Sequence, residues 1–428
     1  MRGDKETMEN QRKLIIGYDL CDDFSRISCF SYRTFEPIPI SPDEDEENSL
    51  IPTVLCIKND TRLWCYGNEA VSTAQGGNGI LIDHLVDRLK SSEETEILGQ
   101  SFTGAALLEK FLRKSLILVK NYFPTETITK LVVTLRETEP KIVEGVYEAL
   151  YQLGIEKDRA VVISHAGAYM YYALSQDRPL WANDVGLFDF NEYGLNYYQI
   201  TINRRSLPMI AGMEKKEFTD ILSYPMLKQK GIDPSYTFSN IANTVLYKQI
   251  VSTIYFTGKG FLGGWAEDAI RGLCAGRRVF IGQNLYTKGA CYAAKEFAGD
   301  RKLGDIILLN NEMLVSSVSL KVYMDAVMKE LLLTDAAVSW YEVDSEIEVI
   351  LQGEPELEVI LRNIMTKETT RERLRLGQIP AGRPDRMTRL GIRLTFLERS
   401  LAKLTVTDLG FGEYYPPSGR VWEFTIET

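Results

Sequence analysis

The sequence predicts an α/β protein of two similar lobes, followed by an antiparallel β-sandwich. Residues 13–32 and 184–203 share one pattern, in which a strand ends at an aspartate and a polar turn leads into a returning strand. Strands and helices then alternate, which is typical of a parallel sheet covered by helices. From residue 313 onward, apolar residues recur at every second position between turn signals, which is typical of a sandwich.

Composition excludes several classes of protein. The chain has 428 residues, enough for two or three domains, and its net charge of −10 argues against a nucleic-acid-binding surface. Residues 1–12 form a charged, solvated tail without a signal segment, and no apolar run is long enough to span a membrane. The six cysteines form no CxxC pair, so we expect a reduced, cytoplasmic protein. Only His84 and His165 are present, which argues against a histidine-rich metal site.

The two hairpins carry the residues of greatest interest. In the first, Asp19 follows a short apolar strand and residues 21–23, Cys-Asp-Asp, form the turn. In the second, Asp189 follows residues 185–188 and the turn spans residues 191–194. Hairpins with one aspartate are common, but two in this order indicate two related lobes facing a cleft.

The first lobe is predicted to contain further alternating elements. Residues 41–49 form an acidic stretch that lacks the spacing of an EF-hand, so a solvated loop is expected instead of a metal loop. Thr103 is placed to cap a long amphipathic helix that ends near residue 123. The other predicted strands are 51–57, 62–66, 130–135 and 159–164, with a hairpin at 95–102, and the other predicted helices are 79–91, 140–153 and 166–175.

The second lobe and the tail complete the predicted organisation. After the second hairpin, the predicted helices are 215–230, 238–252, 265–274 and 286–298, and the predicted strands are 253–257 and 278–281. Residues 305–309 form an apolar link. The predicted sandwich strands are 346–351, 357–361, 391–396, 401–407 and 421–426, separated by turns that include 380–382, with one helix at 324–333.

This order of elements resembles the DnaK-type heat-shock chaperones of the actin and sugar-kinase superfamily. IGYDL (16–20) and LFDFNEYGLNYYQI (187–200) resemble the two phosphate loops of that family, and YFTGKGFLGG (255–264) resembles its adenosine loop. EVILQGE (348–354) and LGQIPAGRP (376–384) resemble its peptide-binding sandwich. The resemblance implies a two-lobed actin-like ATPase fold with ribonuclease-H-like repeats. Its implied domains are lobes at 1–182 and 183–302, a hydrophobic linker at 303–312 and the sandwich at 313–428.

The same resemblance implies a set of site residues. Asp19 and Asp189 are the candidate catalytic groups. The implied contacts to ATP or ADP are Gly17, Gly194, Gly258, Lys259, Gly260, Gly263 and Gly264. The glycines after residue 257 serve equally well in plain tight turns. Four carboxylates form an oxygen-rich candidate site for Mg²⁺ or Ca²⁺, the alternative being a solvated acidic turn: Asp19, Asp22, Asp23 and Asp189.

The sequence departs from that family where phosphate is handled. Asp22 and Asp23 stand where the family has small residues, and each carboxylate about 4 Å from a phosphate charge costs about 4 kcal/mol at an effective dielectric of 20. The second loop retains only Gly194. Val71 aligns with the family's lysine, and His165 aligns with the acidic residue that opens its connecting helix. His165 is either a replacement base or a histidine held by its neighbours. The family's helical lid has no counterpart after the last predicted strand.

These departures favour a DnaK-like pseudo-ATPase that acts as a chaperone-like or scaffold protein. We expect it to bind unfolded or extended peptide or a partner protein, with nucleotide binding weak or lost and hydrolysis lost. One alternative is an active chaperone ATPase with a metal-assisted phosphate loop. Another is an actin-like assembly or cell-division scaffold.

Overall fold

A computed structural model describes residues 13–41, 49–377, 379–380 and 382–428. The predicted tail at 1–12 lies outside these residues, as do most of the predicted acidic loop and part of the predicted turn at 380–382. The chain divides into two compact units, one formed by Met1–Thr201 with Glu214–Gly304 and the other by Ile202–Met213 with Asp305–Thr428. None of the helices in the described residues is long and apolar enough to cross a membrane.

The described residues form a mixed α/β protein. The α-helices are α1 Gly67–Gln75, α2 Gly104–Tyr122, α3 Pro140–Gln152, α4 His165–Ser175, α5 Pro234–Leu246, α6 Glu267–Leu273 and α7 Leu285–Phe297. The strands are β1 Leu14–Leu20, β2 Phe24–Ser31, β3 Glu36–Ile40, β4 Ile51–Pro52, β5 Leu55–Lys58, β6 Trp64–Tyr66, β7 Gly79–Ile82, β8 Thr95–Ile97, β9 Gln100–Phe102, β10 Ile128–Leu135, β11 Ala160–Ser164, β12 Asp184–Asn191, β13 Gly194–Asn203, β14 Met209–Glu217, β15 Val251–Thr257, β16 Arg278–Ile281, β17 Ile306–Leu309, β18 Ser316–Met324, β19 Val327–Thr334, β20 Ser345–Ile350, β21 Glu356–Asn363, β22 Thr369–Arg375, β23 Arg389–Glu398, β24 Leu401–Gly410 and β25 Val421–Glu427.

Both predicted hairpins are confirmed, and each belongs to a sheet with the same arrangement. In one sheet β1 pairs antiparallel with β2 and parallel with β10, which pairs parallel with β11. In the other, β12 pairs antiparallel with β13 and parallel with β15, which pairs parallel with β16. The strands therefore run β11-β10-β1-β2 and β16-β15-β12-β13, with matching directions.

The long helix α2 forms as its sequence predicts. The Thr103 hydroxyl accepts a hydrogen bond from the Ala106 amide at 3.1 Å, which satisfies one free donor of the first turn. Most of its apolar stripe is buried in the core of the first sheet, and Phe111 and Leu112 are fully buried there. Ser115 lies on the same stripe, and its hydroxyl is 2.8 Å from that of Tyr18 on β1. Packing on one face, more than helix propensity, thus fixes α2 against the sheet.

Glycines allow α7 to pack closely on β1 and α4. A Cβ on Gly17 of β1 would lie 2.8 Å from the Cα of Cys291, and closer still to backbone atoms of Thr287 and Cys291. A Cβ on Gly289 of α7 would overlap the Ala168 carbonyl of α4. This close packing brings the start of α7 to the carboxyl ends of the strands.

Several predicted helices are wrong because strand pairing overrides local pattern. In the helix predicted at 79–91, residues 79–82 instead form β7, which pairs antiparallel with β5. In the remaining part of that range, only Asp87–Lys90 forms a short 3₁₀ helix. Residues 324–333 lie mainly in the β18–β19 hairpin, in which Asp325 and Ala326 form a turn with positive φ angles.

Of two further helix predictions after the second hairpin, one is wrong and the other is confirmed in part. Residues 215–217 end β14, and only Tyr224–Lys228 forms a 3₁₀ helix in the remainder of the predicted helix 215–230. The helix predicted at 238–252 stops at Leu246, where α5 ends, because the chain enters strand β15 at Val251. The structure also has a helix, α1, that the apolar pattern of the sequence did not predict.

The second unit contains the predicted antiparallel strands. Two four-stranded sheets, β19-β18-β21-β22 and β20-β23-β24-β25, contribute to one apolar core. Alternate residues of β24 are buried, as a period-two pattern requires. Within this unit, β17 pairs in parallel with the first half of β14, so the predicted apolar link contains a strand.

Candidate functional site

A small cavity lies at the carboxyl ends of the central strands of the first unit. Its volume is about 70 Å³. Both predicted aspartates line it, together with four other polar or charged side chains: Asp19, Asp189, Cys21, His165, Arg136 and Lys259. The carboxyl ends of parallel strands are the usual location of ligand sites in α/β proteins.

The topology explains why these side chains meet. Asp19 lies near the end of β1 and Asp189 near the end of β12, each 5% exposed. Arg136 follows β10, the parallel neighbour of β1, and His165 begins α4 directly after β11. Lys259 follows β15, the parallel neighbour of β12. Each group therefore lies at the same edge of its sheet.

Asp19, His165 and Cys21 form a compact buried group. The Nε2 atom of His165 lies 2.7 Å from Oδ1 of Asp19. The Cys21 thiol donates to the same oxygen over 3.5 Å and lies 3.7 Å from Nε2 of His165. Burial is the largest influence on the thiol and raises its pKa well above the ordinary value. Cys21 is therefore a neutral thiol, unlike an activated cysteine nucleophile.

The two aspartates have opposite electrostatic environments. Burial raises the pKa of Asp19, but the charge and hydrogen bond of His165 outweigh it, and the net pKa is lowered. Burial also raises the pKa of Asp189, and here the partners do not compensate, so its net pKa is raised. Those partners are the Tyr286 hydroxyl at 2.8 Å and the Asn191 amide at 3.0 Å. The site thus combines a carboxylate held ionised with a carboxyl that retains its proton more readily.

Tyr286 links the two halves of the site. Its ring stacks on the imidazole of His165, with centroids 3.8 Å apart and planes 12° from parallel. Its hydroxyl donates to Asp189, so the start of α7 contacts both α4 and the second hairpin. His165 is consequently held by its neighbours, which is the second of the two interpretations that the sequence allowed.

The cations of the cavity already have protein partners. Lys259 Nζ lies 3.1 Å from Oδ2 of Asp23, and an Arg136 Nη lies 3.8 Å from the other oxygen of that carboxylate. Arg136 also donates to the Asn191 side chain at 2.9 Å and stacks over the Tyr193 ring. A phosphate that entered the cavity would have to displace these contacts.

Arg26 is the third cation at the cavity. One Nη donates to the Gln283 carbonyl, while its Nε is buried without a hydrogen-bond partner among the described residues. Burial lowers the pKa of this guanidinium, although Asp19 partly offsets the effect.

The predicted cluster of four aspartates does not form. Asp22 accepts hydrogen bonds from the amides of Val86 and Asp87, at 2.8 and 3.3 Å, and Asp23 pairs with Lys259. Desolvation and the neighbouring Asp87 raise the pKa of Asp22 to about 6. Among the described residues, the groups with metal-ligand geometry are instead Asp19 with Cys21 and His165, and Asp22 with His84 and Asp87. Neighbouring backbone amides and cations therefore separate the carboxylates that the sequence suggested would converge.

Several glycines predicted to contact nucleotide have packing roles. Gly258 has φ +96°, and a Cβ there would lie 2.9 Å from Oδ1 of Asp189 and closer to the Phe190 carbonyl. A Cβ on Gly260 would meet the Phe190 ring, and one on Gly194 would overlap the Thr219 side chain.

The remaining glycines of the loop differ from these. Gly263 and Gly264 both have positive φ angles, and a Cβ on Gly263 would meet nothing within 4 Å. They allow a tight turn, and the space next to Gly263 is open.

Sequence reasoning missed Arg26, Arg136 and Tyr286 as members of the site. A usable signal existed for Arg136, because it directly follows a buried strand that was correctly predicted. Tyr286 had no such signal, since its position depends on how closely α7 packs against β1.

Two family models match this chain. Residues 36–311 match the model described as "Family of unknown function (DUF5716) C-terminal", which covers more than half of the sequence. The chain belongs to this family. A second model, "Domain of unknown function (DUF8552)", matches residues 313–428 of the DUF5716 chain, where strands β18 to β25 lie. No curated protein matches the sequence.

Proposed function

We propose that this DUF5716-family chain is a DnaK-like pseudo-ATPase, which binds a peptide or partner protein without hydrolysing ATP. The repeated strand order supports an actin-like origin. Both hairpin-bearing sheets place an antiparallel hairpin beside two parallel strands in the same order, as expected for a duplicated ribonuclease-H-like unit. Fold alone does not specify function, so the proposal depends on the site.

The size and contents of the cavity carry the proposal. Ligand pockets usually measure about 300–1,000 Å³, whereas this cavity measures about 70 Å³. That space suits a few water molecules or an ion. The protein's own side chains occupy the region where phosphates would lie, with Asp23 between Lys259 and Arg136.

Charge provides a second argument against triphosphate cleavage. Phosphoryl transfer needs cations that are free to stabilise the transferring group and a positioned water molecule. Here Lys259 and Arg136 are paired with Asp23, and Asp19 is engaged by His165. An entering phosphate would face these carboxylates while competing for the cations. We therefore expect nucleotide binding to be weak or absent.

The second unit supplies a surface for peptide binding. Strand β19 lies at the edge of its sheet and, among the described residues, pairs only with β18. Val327, Met328 and Leu332 on β19 are 51%, 57% and 50% exposed. An exposed strand edge offers backbone donors and acceptors to an extended peptide, and the apolar side chains add contact area.

Turnover and peptide binding should be measured on the full chain. With labelled ATP and Mg²⁺, we expect no turnover above the background of the Asp19→Asn variant. An extended apolar peptide should raise the melting temperature, and a charged peptide of equal length should not.

Other outcomes would favour the alternative functions. Turnover that is lost in Asp19→Asn would identify an active ATPase and refute the proposal. Light scattering that increases on adding nucleotide would indicate an assembly scaffold.

A further inference from the structure

We propose that Asp19, Cys21 and His165 form a Zn²⁺ site. These three side chains present an oxygen, a sulfur and a nitrogen, which are the ligand types that zinc takes in proteins. All three residues are buried, and each ligand atom lies close to the other two. The inference goes beyond the proposed function, because it holds whether or not a nucleotide binds elsewhere in the protein.

The distances between the ligand atoms are close to those of a tetrahedral zinc site. Bond lengths of about 2.3 Å to sulfur and 2.0–2.2 Å to nitrogen or oxygen place tetrahedral ligands about 3.3–3.6 Å apart. The sulfur of Cys21 lies 3.5 Å from Oδ1 of Asp19 and 3.7 Å from Nε2 of His165. Only the distance between Nε2 and Oδ1, which is 2.7 Å in the hydrogen bond, must increase, by about 0.6 Å.

The charge of the ligand set favours zinc over magnesium or calcium. Arg26 and Arg136 line the same cavity and would repel an uncompensated divalent cation. A Cys21 thiolate and the Asp19 carboxylate carry two negative charges, which neutralise Zn²⁺. Mg²⁺ and Ca²⁺ prefer oxygen ligands and would gain only one carboxylate here.

Binding exchanges protons for the metal. Bonds form from zinc to the Cys21 sulfur, the His165 Nε2 lone pair and an Asp19 oxygen. The thiol proton leaves to solvent. The proton that Nε2 shares with Asp19 also leaves that nitrogen, to solvent from a charged ring or to Nδ1 of a neutral one, so the imidazole keeps a single proton, on Nδ1. The cavity beside these residues, of about 70 Å³, has room for a water molecule as the fourth ligand.

The stacked Tyr286 ring would help to hold the imidazole in place. It lies against His165 at a centroid distance of 3.8 Å, and its hydroxyl is fixed on Asp189. The other group with metal-ligand geometry lacks these features. It contains no thiol, and its His84 is exposed and lies 4.0 Å from the nearest Asp22 oxygen.

Cobalt and zinc binding to the full chain test the proposal. The metal-free protein is titrated with Co²⁺, and a sulfur-to-cobalt charge-transfer absorption should rise to saturation at one equivalent. Zn²⁺ should then displace the cobalt stoichiometrically. Competition with a chromophoric chelator gives the zinc affinity, which should fall at least about 100-fold in Cys21→Ser and in His165→Gln.

Matched variants distinguish this site from incidental binding. Cys274→Ser removes an exposed thiol and His84→Gln removes the other histidine, and both should leave zinc affinity unchanged. Retained affinity in Cys21→Ser would overturn the proposal. If Cys21→Ser fails to fold, the unaltered protein decides the matter, because a cobalt spectrum without thiolate absorption would also overturn it.

Discussion

Replacing Gly17 by alanine should destabilise the first unit, because there is no space for a methyl group. The added Cβ would lie 2.8 Å from Cα of Cys291 and closer still to the Thr287 carbonyl. Ordinary contacts at this position would need 3.4 Å or more. Helix α7 would therefore have to move away from β1.

The size of the effect follows from what prevents that movement. Gly289 of α7 contacts the Ala168 carbonyl of α4, and Tyr286 is fixed by its bond to Asp189. Overpacking a core typically costs about 1–3 kcal/mol. Because backbone atoms are involved, we expect about 3 kcal/mol, which lowers the melting temperature by about 6 °C.

Urea unfolding and scanning calorimetry measure this directly. Gly272→Ala is the matched control, since Gly272 is exposed on α6 and a Cβ there meets nothing within 4 Å. That control should stabilise the protein by up to about 1 kcal/mol. A Gly17→Ala protein as stable as the unaltered chain would refute the packing role. Lost nucleotide binding without lost stability would assign Gly17 to a ligand site.

Four further predictions concern stability and peptide binding. Asp408→Ala should cost about 3–5 kcal/mol in urea unfolding, since it leaves the buried Arg383 guanidinium without its carboxylate. Arg393→Ala is the matched control, because it breaks an exposed ion pair and should leave stability nearly unchanged. Burial raises the pKa of Asp408, but Arg383 and the backbone amides outweigh it and the net pKa is lowered. This stabilisation is therefore present above about pH 4 and lost as the pH falls below it, and thermal unfolding of Asp408→Asn should lack that dependence. Thr103→Ala should cost about 1 kcal/mol through its lost helix cap. Leu332→Glu on β19 should weaken binding of an apolar peptide in fluorescence anisotropy, and unchanged affinity would exclude this edge.

The apolar pattern of the sequence predicted an element correctly wherever the packing and strand pairing in the structure agree with that pattern. The first hairpin, helix α2 and the strand alternation of β24 were all visible in the sequence, because one face of each element is buried. The wrong predictions share one cause. Residues 79–82 and 327–333 have apolar runs compatible with helix or strand, and their pairing with β5 and β18 decided between the two.

The site was predictable only in part. The sequence identified Asp19, Asp189 and Lys259 at the ends of strands, and the structure places all three at one cavity. It could not show that Asp22 turns toward the Val86 amide, because that partner comes from a distant loop. Nor could it show that Tyr286 contacts both Asp189 and His165, because that depends on how α7 packs against its neighbours.

The central claim is that the protein's own side chains occupy the phosphate-binding region. The most direct test is a crystal structure of the full chain soaked with magnesium and ATP. The account predicts no triphosphate in the cavity, with Lys259 and Arg136 still paired with Asp23. An ordered phosphate beside the turn at residues 21–23, with either cation released onto it, would contradict the account.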